Sequence, residues 1–201
     1  MIKNGSVNLV FYGPEGSGKS TQADLLSKKY KIPHLASGDL VRKYSKEDKG
    51  IIGDVCRTAL NEGAYVGDSE MYVMWKKRLK EKDASGGWIL DGFPRNVTQA
   101  RFLERKVEKY QKELDAVFFI EVSEKESIKR LLKRGRKSPD GSLHDSPERI
   151  KERLKRYNKG RAAVLKYYQK RKILHRIDGE RTIGQVQKKV FKYVNKLQTG
   201  S

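Results

Sequence analysis

Residues Gly13-Pro14-Glu15-Gly16-Ser17-Gly18-Lys19-Ser20 constrain this chain more than any other stretch, because they match G-x-x-x-x-G-K-[ST] and are followed by Thr21. The run Val7-Asn8-Leu9-Val10-Phe11-Tyr12 before them is short, apolar and β-rich. After them, Ala23, Leu26 and Tyr30 fall at i, i+3 and i+7, the spacing of one helix face. The motif therefore sits between a strand and a helix. There glycines let successive backbone N–H groups converge on phosphate oxygens, and the helix N-terminus adds its positive dipole end. Lys19 reaches β- and γ-phosphates, and Ser20 or Thr21 reaches Mg²⁺ or a phosphate oxygen. This predicts a nucleoside triphosphate site and leaves the second substrate open.

The rest of the chain repeats the strand–helix alternation. Trp88-Ile89-Leu90 and Ala116-Val117-Phe118-Phe119-Ile120 read as buried strands, and Ile173–Ile177 as a weaker one ending at Asp178-Gly179. Helical faces are set by Met71, Trp75 and Leu79, by Ile128, Leu131 and Leu132, and by Ile150, Leu154, Tyr157, Val164 and Tyr168. Ser146-Pro147-Glu148 opens the last of these with a capping hydroxyl, a first-turn proline and an acid. Thr182–Leu197 reads as a terminal helix, and Thr199-Gly200-Ser201 is left out of the fold reasoning. Such alternation predicts an α/β fold with a parallel sheet covered on both faces, in one domain with small inserted lobes. Trp75 and Cys56 read as packing residues, and His34 and His175 as packing or surface histidines rather than ligands.

The chain carries 45 Lys and Arg against 25 Asp and Glu, a net +20 that favours anionic partners. Residues 129–176 hold 18 Lys and Arg against 4 Asp and Glu, so most of the excess lies there. An RNA or ribosome partner is the alternative function this raises, with strongly salt-dependent binding. No RNA-reading motif accompanies it, and nucleic acid is expected only through nonspecific electrostatics. A lone cysteine, Cys56, excludes an intramolecular disulfide framework and a cysteine-based zinc module. Met1–Ser6 lacks a signal-peptide core, and no apolar run reaches the ~18 residues of a membrane span. No membrane association and a cytoplasmic location are expected.

Two further segments follow strand ends, where open α/β sheets place their ligands. They are Ser37-Gly38-Asp39-Leu40-Val41-Arg42 and Asp91-Gly92-Phe93-Pro94-Arg95. Arg42 and Arg95 are candidates to grip a second phosphate bidentately. Asp91 ends an apolar strand as a Walker-B-type carboxylate does, where it holds Mg²⁺ directly or through water; the alternative is a strand-end cap.

Taken together, Gly13–Thr21, Ser37–Arg42, Gly63-Ala64-Tyr65-Val66, Asp91–Arg95 with Gln99, Arg130…Arg134-Gly135-Arg136, Asp145-Ser146-Pro147-Glu148, Arg153-Leu154 with Tyr157, and Asp178-Gly179 resemble the adenylate kinases, within the nucleoside monophosphate kinases. The resemblance spans most of the chain. It implies a P-loop NTPase-type sheet of five parallel strands with helices on both faces. The core would comprise residues 1–36, 69–134 and 146–201, with a monophosphate-binding lobe over 37–68 and a short lid over 135–145. It implies the reversible Mg²⁺-dependent reaction ATP + AMP = 2 ADP in a monomer, with ATP, AMP and ADP as partners and no zinc.

By resemblance, Gly16, Ser17, Gly18, Lys19, Ser20 and Thr21, with Arg130, Arg134 and Arg181, hold ATP. Ser37, Arg42, Ala64, Tyr65, Val66, Gly92, Arg95, Gln99 and Arg153 line the AMP side. Lys19, Arg95, Arg130, Arg134, Arg136 and Arg153 carry the transfer, and Ser20 and Asp91 face Mg²⁺. Gln99 sets the base preference, since its amide both donates and accepts at an adenine edge. The spacing Asn96-x-x-Gln99 equally reads as a helix cap. CMP or UMP as acceptor is the alternative that keeps the fold. The lid departs from the family pattern: Ser142-Leu143-His144-Asp145 stands where an arginine and two aspartates are usual. Arg136 is the preferred substitute for the missing arginine, Arg149 the second. Pro139-Asp140-Gly141 reads as a tight turn, and Gly135 and Gly141 as hinges or turns.

Overall fold

The computed structural model describes residues 7–137, 141 and 143–199. The readings placed on Met1–Ser6, Pro139, Asp140, Ser142, Gly200 and Ser201 lie outside the described residues. Strands β1 (Val7–Tyr12), β2 (His34–Ala36), β3 (Gly87–Asp91), β4 (Ala116–Glu121) and β5 (Leu174–Asp178) form one sheet in the order β2-β3-β1-β4-β5. Every pairing in it is parallel. Helices α1 (Lys19–Tyr30), α2 (Ser37–Glu47), α3 (Ile51–Glu62), α4 (Asp68–Arg78), α5 (Val97–Lys109), α6 (Glu124–Arg134), α7 (Pro147–Lys170) and α8 (Ile183–Thr199) connect and cover it.

Strand side chains alternate between two apolar layers. Leu9 and Phe11 of β1 join Ile89, Phe118 and Ile120 against Ala23 and Leu26 of α1 and Val186, Val190 and Val194 of α8. Val10 and Tyr12 point the other way, into a larger core with Leu90, Val117, Phe119, Trp75, Phe93, Leu103, Val164 and Tyr168. Burial on both faces is why β1 and β4 read as continuous apolar runs. Trp75 is fully buried and packs on Phe93 with ring centroids 5.4 Å apart, as its spacing predicts. The larger core extends into the segment between β2 and α4, through Leu40, Cys56, Ala59 and Val66.

A smaller cluster of Leu131, Ile150 and Leu154, with Ile128 against it, joins α6 to α7. Leu132 departs from expectation: it is 47% exposed, because a face built on Ile128 and Leu131 turns its neighbour outward. β5 starts one residue later than its apolar run, at Leu174, and the terminal helix runs on to Thr199. β5 is an edge strand paired only with β4, so solvent reaches part of it and its pattern is mixed. No helix among the described residues is long and apolar enough to cross a membrane.

Candidate functional site

The C-terminal ends of β1, β2 and β3 meet at the phosphate loop, as the strand order requires. Gly16 and Gly18 have φ of 82° and 90°, a region that L side chains rarely adopt. A Cβ on Gly16 would also lie 2.9 Å from the Ser127 carbonyl oxygen. Gly18 is the N-cap of α1, so Lys19, Ser20 and Thr21 form the first helical turn and their backbone N–H groups face the loop. The Lys19 ammonium donates to the Pro14 carbonyl at 2.7 Å. Burial pushes its pKa down against the pull of Asp91 and Glu15.

Ser20 Oγ donates to Asp91 Oδ2 at 2.5 Å. Asp91 is buried at the end of β3. Burial opposes its charge, but the His34 imidazole 3.7 Å from Oδ2, the Lys19 ammonium and the Ser20 hydroxyl outweigh it and hold the carboxyl below its ordinary range. A hydroxyl and an ionised carboxylate side by side at a phosphate loop are the oxygen donors that Mg²⁺ uses when substrate phosphates supply the rest. No group of three or more His, Cys, Asp or Glu residues placed to hold a metal ion occurs among the described residues. His34 is a packing residue with a polar task, since its Nδ1 also lies 2.7 Å from Asp24 Oδ1.

Three further cationic residues are gathered by Asp145, from α6, α7 and the segment between them. Arg134 donates Nε and Nη2 to Asp145 at 2.8 and 2.9 Å. Arg153 donates Nη2 to Asp145 Oδ1 at 2.8 Å and Nη1 to Glu15 Oε2 at 2.5 Å. The backbone N–H of Arg136 donates to Asp145 at 3.0 Å, and its side chain lines a cleft of about 820 Å³ with Arg42, Lys46, Arg57 and His144. Asp145 is thus a hub that aims two guanidiniums and anchors the base of the expected lid. Burial opposes its charge, and its bonds with Arg134 and Arg153 drive its pKa far below the carboxylate norm. Lys137 and Leu143 form an antiparallel bridge that closes this segment. Arg130 pairs with Glu126 and Arg181 with Asp178, each with a carboxylate of its own segment rather than with the Asp145 hub. Arg149 caps toward the Asn61 carbonyl at 3.4 Å.

The second half of the site lies across β3. Arg95 packs its guanidinium 3.6 Å from the Tyr65 ring centroid and donates Nε to the Gly92 carbonyl at 2.9 Å. Burial pushes the Tyr65 hydroxyl pKa up. Ala64 and Val66 flank that ring in the loop between α3 and α4, and Val66 is buried. Ser37 is 2% exposed, and its hydroxyl has no hydrogen-bond partner among the described residues. Such an orphaned buried hydroxyl beside Gly92 is a ready contact for a polar ligand. Arg42 is paired with Asp39 at 2.5 Å and remains 42% exposed, so it is free to exchange partners.

The structure bears on the cap reading of Gln99. Asn96 Oδ1 accepts from the Gln99 backbone N–H at 2.8 Å, capping α5. The Gln99 side chain accepts from the Arg95 N–H and donates to Asp68 Oδ1, both at 2.7 Å. One amide N–H is left for a ligand. Asp68, which also accepts from Asn96, and Glu15 and Asp145 as arginine partners are site features that motif reading did not single out. Asp68's acid in a first helical turn was the only local signal for it.

The family model described as "Adenylate kinase" matches residues 11–173. The adenylate kinase of Leptospira biflexa is 36% identical over 186 residues, covering 92% of this chain and 98% of that protein. "Adenylate kinase 1" of a Nostoc species is 37% identical over 174 residues, with 87% and 91% covered. The adenylate kinase of Xanthomonas campestris is 35% identical over 184 residues, with 92% and 97% covered. A phosphate loop joined to a second, arginine-lined polar site, on a chain matched over nearly its full length, is a phosphotransferase of the nucleoside monophosphate kinase class, and the chain belongs to the adenylate kinase family.

Proposed function

We propose that this enzyme transfers the γ-phosphoryl group of ATP to AMP, reversibly, giving two ADP. The observation that carries the reading is the convergence of Lys19, Arg134 and Arg153 at the phosphate loop, facing Arg95, Ser37 and Gln99 across β3. The transition state spreads negative charge over the transferring oxygens, so preorganised cations and positioning supply the catalysis and no covalent intermediate is needed.

The loop from Gly16 to Thr21 holds the ATP phosphates, with Lys19 leaving the Pro14 carbonyl to meet them. Arg134 and Arg153, fixed by Asp145, meet the charge that develops in transfer. Arg95, braced on Tyr65, and Arg42, released from Asp39, hold the AMP phosphate. Gln99 and Ser37 meet the base, with the loop Ala64–Val66 as its wall. Arg130 and Arg181 serve the ATP side. Ser20 and Asp91 are the residues that would hold Mg²⁺, which would neutralise phosphate charge. Residues 37–68 act as the AMP lobe and 135–145 as a lid, whose closure excludes water and suppresses ATP hydrolysis. Arg136 stands in for the arginine that the lid pattern lacks.

The test is Mg²⁺-dependent transfer from ATP to AMP, CMP, UMP and GMP, with both diphosphates detected. Selective ADP formation from AMP, lost in Lys19→Ala and Arg95→Ala, is expected. Transfer chiefly to a pyrimidine nucleotide would move the acceptor assignment, and no transfer to any of them would refute the proposal.

A further inference from the structure

Glu15 is an acid inside a loop built to hold phosphate. Its carboxylate meets Arg153 Nη1 at 2.5 Å, and the two residues are 138 apart in the chain. Its charge is also felt by Lys19, Arg134, Arg136 and Tyr65. A carboxylate so placed presents two oxygens to the cations that a phosphoryl group would otherwise meet.

The partners of Arg153 divide into two kinds. Asp145 Oδ1, the His144 carbonyl and the Arg149 carbonyl come from α7 and the segment before it, at 2.8, 3.2 and 3.2 Å. Glu15 alone comes from the phosphate loop, and its side chain is 32% exposed whereas that of Asp145 is fully buried. Glu15 is therefore the exchangeable partner. Removing it leaves Arg153 held and aimed by the others, with one N–H edge open.

We propose that Glu15 is a resident competitor for phosphate: its carboxylate occupies the Arg153 fork in the empty enzyme, yields it to the transferring phosphoryl group, and returns as product leaves. This rests on the phosphoryl-transfer reading above. It makes Glu15 a positioning residue that weakens nucleotide binding and speeds release.

The experiment compares wild type with Glu15→Gln and Glu15→Ala. The probe is a dinucleotide of two adenosines joined by five phosphates, which fills both halves of the site, titrated by calorimetry and followed by steady-state kinetics. Removing a negative charge from beside the phosphates is expected to tighten the probe about tenfold in both variants. KM for the nucleotides falls with it, and kcat falls by less, so kcat/KM rises. If Glu15 only braced Arg153, the variants would bind the probe no better and kcat/KM would drop; either result overturns the proposal. Melting temperatures confirm that the variants are folded, and Glu15→Asp, which keeps the charge on a shorter arm, supplies a further variant expected to bind more weakly than Glu15→Gln. Absence of ADP formation by the wild type would refute the kinase reading separately, without touching the comparison of probe affinities.

Discussion

Asp145→Asn isolates the charge that organises the transfer arginines. The Asp145 side chain is fully buried and accepts from Arg134, Arg153 and the Arg136 backbone. Asparagine keeps the shape but turns one acceptor into a donor that faces a guanidinium. Arg153 is itself 2% exposed, so the change leaves a buried cation short of one counter-ion. Breaking a buried pair of this kind costs about 3 kcal/mol, the low end of the usual range because Glu15 still meets Arg153. The Arg134 pair is more exposed and adds little. For a chain of this size the melting temperature should fall by roughly 6–12 °C. Catalysis should suffer more than binding, because two donors lose their aim at the developing charge. Loss of one such donor costs about 100-fold or more in kcat. The assay is coupled ADP formation below the variant's melting temperature, with KM measured alongside. A kcat within threefold of wild type, despite the lower melting temperature, would show that Asp145 holds the fold and not the arginines. The pH dependence follows from the same pair. Asp145 has a folded pKa far below its unfolded value, so its stabilisation is complete above the unfolded pKa near ~4 and is lost as pH falls through the folded value. Between neutrality and about pH 5, Asp145 therefore adds no slope to wild-type stability.

Gln99→Ala should lower the preference for AMP over other monophosphates, seen as a ratio of kcat/KM values, while ATP affinity holds. It keeps the Asn96 cap but removes the side-chain bonds to the Arg95 N–H and to Asp68, about 1 kcal/mol each, so the melting temperature should fall by roughly 4–8 °C; an unchanged monophosphate preference would remove Gln99 from base recognition. Asp91→Asn should raise the Mg²⁺ concentration for half-maximal activity about tenfold or more, and an unchanged Mg²⁺ titration would place the metal elsewhere. Cys56 is fully buried, and burial raises its thiol pKa, so an alkylating reagent should label it only as fast as the protein unfolds; rapid labelling of the folded enzyme would contradict the packing around it.

The parts of the fold legible in the sequence were those whose periodicity is enforced on two sides. β1 and β4 are buried on both faces and could only be apolar runs. The three-residue β2 has no pattern of its own, and β5 blurs because only one neighbour constrains it. At the site, local spacing carried far: Lys19 and Ser20 follow from the loop motif, and Asn96 with Gln99 from a cap three residues long. The Arg153–Glu15 and Arg134–Asp145 pairs were not legible as pairs, since they depend on how α6 and α7 lie across the loop. Motif spacing says nothing about which x position points inward, so Glu15 gave no signal.

The division of the apolar layers has a consequence for motion. Leu40, Cys56, Ala59 and Val66 belong to the same continuous core as the sheet, whereas Leu131, Ile150 and Leu154 form an island of their own. Tilting the 37–68 segment must slide a shared interior, while the junction of α6 and α7 has only three buried apolar side chains, with Ile128 against them, and is otherwise held by the polar bonds of Asp145 to Arg134 and Arg153. The molecule is thus hinged unevenly, stiff where it would greet the monophosphate and compliant where it would cover the triphosphate. Amide exchange should show that asymmetry before any nucleotide is added: fast opening around residues 131–137 and 143–150, slow opening through α3.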